Sequence, residues 1–367
     1  MARRRGKRDG AATIVLGLLA LVSCGGASRP AAEPGMPPPV AARDAGPSDD
    51  AATEPTDAYG GTTAEAGGAA ANPESDEVQV DAGATVVPPP IEGVRDVEVR
   101  TAEELQAAIA PNTRILVQPG ELHLATIWAG PDPRVREFIT SDGEEEPPPG
   151  TEYVRWTNPY DGWEMEIHDV TNLQLVGIGE QKPRIVTTPR YAWVLRFVDA
   201  SGITLSNLSL GHTESGYCLG GVLSFERTED VTVRDADLFG SGTYGVGLVE
   251  AKRVVFERTT IHDCTYGIAQ IQGSEEVEFR DSTFRENREF DLIEVRSSRG
   301  VRFTGCTFKR NRAGEDDSLF LLEGRSRVEV RNCTFRDNVA GRRDSGSAID
   351  FVDCDFTGND FGEPPGR

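Results

Sequence analysis

The chain of 367 residues is short of cations, cysteine, histidine and methionine, and it has no long apolar run. Its N-terminal apolar stretch, Ala11 to Val22, is about 12 residues where a spanning helix needs roughly 20, which disfavours a permanent transmembrane anchor. Lys and Arg number 38 against 60 Asp and Glu, a formal charge of -22. That balance argues against a nucleic-acid binder, whose affinity rests on Lys and Arg neutralising phosphates. Six cysteines are too few for a disulfide scaffold at this length. Apolar residues make up 38%, a share that fits either partial disorder throughout or one polar segment beside an ordinary core-forming domain.

What is present decides between these. Arg3, Arg4, Arg5, Lys7 and Arg8 precede the apolar run, the order of a secretory signal peptide over residues 1–23. The run ends Leu21-Val22-Ser23-Cys24, which resembles the lipobox of bacterial lipoproteins. The resemblance implies cleavage before Cys24, a diacylglycerol on its sulfur and attachment to a lipid bilayer. Gly25 in place of Asp implies, in a Gram-negative envelope, release to the outer membrane. Residues 25–90 hold 11 acidic against 2 basic residues and one aromatic, Tyr59. They cannot bury enough apolar surface to offset ordering entropy, so 24–90 is expected to be a disordered tether reaching roughly 40 to 50 Å. The charge divides into +4 on the signal, -9 on the tether and -17 on residues 91–367.

From position 203 one pattern recurs: an apolar residue, a second two later and a third seven after the first. The instances are Ile203/Leu205/Leu210, Val231/Val233/Leu238, Val254/Phe256/Ile261, Val277/Phe279/Phe284, Val301/Phe303/Phe308, Val328/Val330/Phe335 and Ile349/Phe351/Phe356. Residues two apart share one side of a strand. Starts 28, 23, 23, 24, 27 and 21 residues apart are too short for a strand-helix-strand repeat of about 30 or more. Each period is therefore a coil of short strands and turns. Five after the start come Leu208, Ala236, Thr259, Ser282, Cys306, Cys333 and Cys354, and ten after it Thr213, Ser241, Cys264, Asn287, Asn311, Asn338 and Asn359. Like residues at equal offsets would stack about 4.8 Å apart, letting the Asn amides bond along the stack.

These columns resemble the right-handed parallel β-helix of the pectate-lyase-like superfamily, firmly over roughly 165–360. Upstream the repeat is traceable in Ile115-Leu116-Val117, Leu173-Gln174-Leu175 and Ile185-Val186. Thr101-Ala-Glu-Glu104 is a capping box, and Leu105, Ala108 and Ile109 give one apolar helical face. The resemblance implies that this short helix covers the N-terminal end of the solenoid. The expected fold is an all-β parallel β-helix over 91–367, monomeric, with a short capping helix. Cys306, Cys333 and Cys354 share one inward column and are expected to be buried thiols rather than metal ligands, since no CxxC or nearby His accompanies them. Cys218 and Cys264 lie outside it and are the pair if one disulfide exists.

Three phrases depart from the columns: Gly211-His-Thr-Glu-Ser-Gly-Tyr-Cys218, Gly240-Ser-Gly-Thr-Tyr-Gly245 and His262-Asp-Cys-Thr-Tyr-Gly267. They resemble phrases in a group of bacterial β-helix repeat proteins, which points to a location and not to a reaction. At one turn of successive coils they would bring together His212, Glu214, Tyr217, Tyr244, His262, Asp263 and Tyr266, with Asp237 nearby, combining acid/base groups with sugar-stacking rings. His212, Glu214, Tyr244, His262 and Asp263 are the catalytic candidates, and Tyr217 and Tyr266 the ligand-binding ones. Shaping of a turn is the structural alternative for the tyrosines.

A second surface lies eight after each start, where His262, Arg285, Lys309 and Arg336 line up. Such a row suits an anionic polysaccharide. The stripe beside the first strand, with Glu257, Glu278, Arg280, Arg302, Glu329 and Arg331, alternates in sign, and the reading favoured from sequence is that it neutralises the row. The third region holds all four tryptophans, Trp128, Trp156, Trp163 and Trp193. Trp156 and Trp163 are candidate stacking groups if exposed and core fillers if buried.

Three functions fit. The first is a tethered, non-catalytic β-helix that binds polysaccharide or cell-envelope glycan. The second is a polysaccharide lyase or glycoside hydrolase acting through a His212-Glu214-Tyr244 site. The third is a structural rod holding a partner protein. No cofactor or metal is expected, with Ca²⁺ entering only for a lyase, because a cluster of acidic ligands beside an Arg or Lys base is not evident.

Overall fold

The computed structural model describes residues 92–131, 146–214, 220–240, 244–346 and 348–362. The signal segment, Cys24, the tether, Tyr217 and Cys218 lie outside them. Among the described residues no helix is long and apolar enough to cross a membrane.

The two-residue spacing of apolar side chains does produce strands, and the equal offsets become their register. Ten strands, from Arg95–Val99 to Ile349–Val352, form a first sheet. Nine from Glu121–His123 to Asp355–Thr357 form a second, and nine from Val154–Thr157 to Arg342–Asp344 a third. The pairs Arg288–Glu289, Arg312–Ala313, Val339–Ala340 and Asp360–Phe361 make a short fourth sheet. The named strands pair in parallel, except that Val154–Thr157 runs antiparallel to Glu164–His168. The chain visits first, second and third sheets in turn, so the fold is an all-β solenoid.

Register puts Ile203, Val231, Val254 and Val277 in one row. Phe256, Phe279 and Phe303 follow two residues on, their rings stacked at 4.8 Å spacing. Phe308 and Phe335 stack at 4.5 Å in the second sheet. These side chains are fully buried, and each contributes roughly 1.5 to 3 kcal/mol before entropy is subtracted. At the N-terminal end the helix Ala102–Ala108 lies over the first coil. Thr101 Oγ1 accepts the Glu104 N–H at 3.2 Å, and Glu104 accepts the Arg100 N–H at 2.6 Å. Leu105, Ala108 and Ile109 are buried beneath it, which keeps the end of the core dry.

Corners are columns of left-handed backbone. Four after each start stand Asn207, Asp235, Arg258, Asp281, Gly305, Asn332 and Asp353, all at positive φ, a conformation that Asn, Asp and Gly tolerate best. Arg258 is held there by two bonds to Asp235, at 2.8 and 3.0 Å. One residue further in, Cys306 and Cys333 are buried free thiols and Cys354 a partly buried one. Cys333 Sγ accepts the Cys306 N–H at 3.3 Å as Ser282 Oγ accepts the Thr259 N–H at 3.1 Å. Cys264 is also buried. Asn287, Asn311, Asn338 and Asn359 form the expected amide stack, with Nδ2 to Oδ1 distances of 3.0, 2.9 and 2.8 Å.

Candidate functional site

The outer face of the third sheet gathers the chemistry. One row runs Glu166, Arg196, Ser224, Gly247, Gln270, Glu294, and beside it run Trp193, Gly221, Tyr244 and Gly267. The glycines are explained by the tryptophan. A Cβ on Gly221 would sit 2.2 Å from a Trp193 ring atom, and one on Gly247 2.6 Å from another. The indole therefore lies across two neighbouring coils with one face on the sheet, and it is only partly buried.

Carboxylates crowd one end of this platform. Glu164 accepts the Trp193 N–H at 2.6 Å and Arg196 Nη1 at 3.3 Å. Arg196 Nη2 donates to Glu226 at 2.6 Å, and its Nε lies 3.8 Å from Glu166, which also pairs with Arg155. Burial pushes the Glu164 carboxyl above its ordinary range, and the Glu166 charge adds to this, against the pull of the Trp193 N–H and Arg196. Asp161 takes the N–H groups of Arg190 and Tyr191 at 2.7 and 3.1 Å, fixing the approach to Trp193. Its own carboxyl is raised by burial. At the other end Tyr244 donates its hydroxyl to Glu294, whose second oxygen lies 2.7 Å from Arg296 Nη2. Burial and the Glu294 charge raise the phenol, so Tyr244 remains a donor. An aromatic face bracketed by buried carboxylates, a guanidinium and a phenol can stack on one face of a sugar and bond its hydroxyls.

The structure separates the residues expected on one corner. His212 is 5% exposed, with Nε2 3.0 Å from the Ala192 carbonyl. A carbonyl only accepts, so Nε2 carries the proton. Burial lowers the imidazole to about 4, which leaves His212 neutral and walled off rather than presented to a substrate. Glu214 is exposed, and Tyr244 faces Glu294 instead of His212. His262 and Asp263 do meet: Nδ1 is 2.6 Å from Asp263, and Nε2 3.1 Å from Asp237. Burial alone would lower His262, but the two carboxylates outweigh it and raise the imidazole. Asp237, pushed up by burial, is pulled below its ordinary value by His262 and Ser209. His262 and Asp237 thus each favour the charged form of the other. Tyr266 packs on Phe290, ring centroids 4.4 Å apart.

Trp156 and Trp163, 6% and 8% exposed, belong to the core cluster, so the stacking alternative passes from them to Trp193. The row Arg285, Lys309 and Arg336 lies on the outer face of the second sheet in register with His262. Glu164, Glu166, Arg196, Glu226 and Glu294 went unseen in the sequence, although a signal existed. Seven before each start stand Arg196, Ser224, Gly247, Gln270 and Glu294, and ten before it Trp193, Gly221, Tyr244 and Gly267. Among the described residues no three His, Cys, Asp or Glu side chains converge as a metal site. The Ca²⁺ of a lyase reading finds no ligand set in them, and the carboxylates around Trp193 are engaged with Arg196 and Arg155.

A family model described as the right-handed β-helix region matches residues 220–362. Among solved structures, a pectate lyase from Paenibacillus sp. 0602 is 9% identical at a TM-score of 0.49, over 76% of this chain and 81% of that one. A pectate lyase from Xanthomonas campestris is 12% identical at 0.46, over 74% and 81%. An alginate lyase from Paenibacillus sp. is 10% identical at 0.43, over 73% and 98%. No curated protein matches the sequence. Together with the sheet order, the family match shows the architecture of this chain to be a right-handed parallel β-helix.

Proposed function

We propose that the domain binds a polysaccharide along the outer face of its third sheet, with Trp193 as the stacking platform and Glu164, Arg196, Glu226 and Tyr244 as polar contacts. The observation that carries this reading is the indole laid across Gly221 and Gly247. Two coils have given up their side chains at those positions to make room for a partly exposed ring, an arrangement that core packing does not require. In the same proposal the domain meets its glycan from the cell envelope, tethered through an acylated Cys24.

One observation favours cleavage as a second reading. Glu164 is a buried carboxyl raised by burial beside Arg196, a shift in the direction that general-acid catalysis requires. Incubation of the full chain with polygalacturonate, alginate and xylan, followed by assays for unsaturated and reducing ends, separates the two. Binding without new chain ends is the expected result. New ends that vanish in Glu164→Gln at an unchanged melting temperature would make the protein an enzyme, and absence of binding to every polysaccharide would sink both readings.

A further inference from the structure

The second sheet carries a different surface. Ile261, Phe284, Phe308 and Phe335 point into the core and are fully buried, so the residues on either side of each point out. Register stacks Thr260, Thr283, Thr307 and Thr334 in one outward column, and His262, Arg285, Lys309 and Arg336 in the next. At about 4.8 Å per coil, cations and hydroxyls advance together along the axis.

The first-sheet stripe does not neutralise this row, contrary to the sequence expectation. Its charges lie round a corner and are met there: Glu257 pairs with the corner residue Arg258 at 2.5 Å, Arg280 with Glu278 at 2.5 Å, Arg302 with Glu329 at 3.5 Å, and Arg331 also with Glu329. On the second sheet Arg285 meets Glu286, which Arg310 shares. Lys309 and Arg336 make no ion pair among the described residues. A domain of net charge -17 therefore keeps a row of cations in register, with members left uncompensated, on the outer face of its second sheet. A regular row at the coil spacing is complementary to an anion that repeats along a chain, because the rise of one coil is close to the length of one sugar unit.

We infer that the outer face of the second sheet docks a linear acidic polysaccharide lying along the solenoid axis, its carboxylates on Arg285, Lys309 and Arg336 and its hydroxyls on Thr283, Thr307 and Thr334. This surface is independent of the Trp193 platform. Electrostatic attraction of this kind weakens with salt.

The test uses the full chain with polygalacturonate as probe, neutral xylan and phosphatidylglycerol vesicles as comparators, and a salt series. In the Trp193→Ala background, which leaves this row as the remaining surface, Arg285→Gln/Lys309→Gln/Arg336→Gln is expected to weaken polygalacturonate binding at least tenfold at low salt and to remove most of its salt dependence. The triple variant Arg280→Gln/Arg302→Gln/Arg331→Gln removes the same charge from the first sheet and is expected to bind normally. Trp193→Ala should retain the salt dependence, so failure of the platform and failure of this row are distinguishable. Equal losses in the two triple variants, unchanged binding in the first, or binding to the vesicles without binding to polygalacturonate would each overturn the inference.

Discussion

Replacing Asn311 with alanine is expected to destabilise the solenoid by about 4 kcal/mol, because each buried group left without a partner costs roughly 1 to 3 kcal/mol. Asn311 is buried, and its side chain makes four bonds. It accepts the Asn287 N–H at 3.1 Å and the Asn287 amide at 3.0 Å, and it donates to Phe284 O at 2.8 Å and Asn338 Oδ1 at 2.9 Å. Alanine would strand two donors of Asn287 and the Phe284 carbonyl inside the turn. Asn359 closes the same column but is only partly buried, so water can replace its bonds and Asn359→Ala should cost less than half as much. Urea unfolding of the two variants checks this. Equal effects, or a change under about 1 kcal/mol for Asn311→Ala, would show that the amide stack is not what holds the corner.

Acid is expected to destabilise the domain through His212. The folded imidazole titrates at about 4, below the ordinary value near 6.5, so the unfolded chain takes up the proton first. Stability is therefore lost as pH falls from about 6.5 to about 4 and then levels off, by about 3 kcal/mol from this residue at 1.36 kcal/mol per pH unit. In His212→Gln an amide N–H replaces the Nε2 donor to Ala192 and cannot titrate. Unfolding free energies at pH 7 and pH 4 should differ by about 3 kcal/mol less in the variant than in the parent. An unchanged pH dependence would mean that His212 is solvated when folded.

The fold was legible because a solenoid turns equal sequence offsets into contacts. Val254, Phe256 and Ile261 repeat coil after coil, and the Asn and Cys columns emerge as stacked corners. The platform was not legible for the same physical reason inverted. An outward row has no core to satisfy, so Arg196, Ser224, Gly247, Gln270 and Glu294 share a position and no property. The glycines only acquire meaning once Trp193 is seen above them. His212 occupies the corner offset that holds Asp263 and Glu286 in later coils, yet its ring turns inward to Ala192. The basic row was legible in register. Its neutralisation was misjudged because residues five apart in one coil lie on different sheets.

Isothermal titration of the full chain with xylan, and of the Arg285→Gln/Lys309→Gln/Arg336→Gln chain, which keeps only the platform, with polygalacturonate and alginate, each set beside the same chain carrying Trp193→Ala or Trp193→Phe, isolates the contribution of the indole. Alanine is expected to weaken binding at least tenfold, about 1.4 kcal/mol, phenylalanine to retain most of the affinity, and both variants to melt close to the parent. Undiminished affinity in Trp193→Ala, with the fold intact, would contradict the platform.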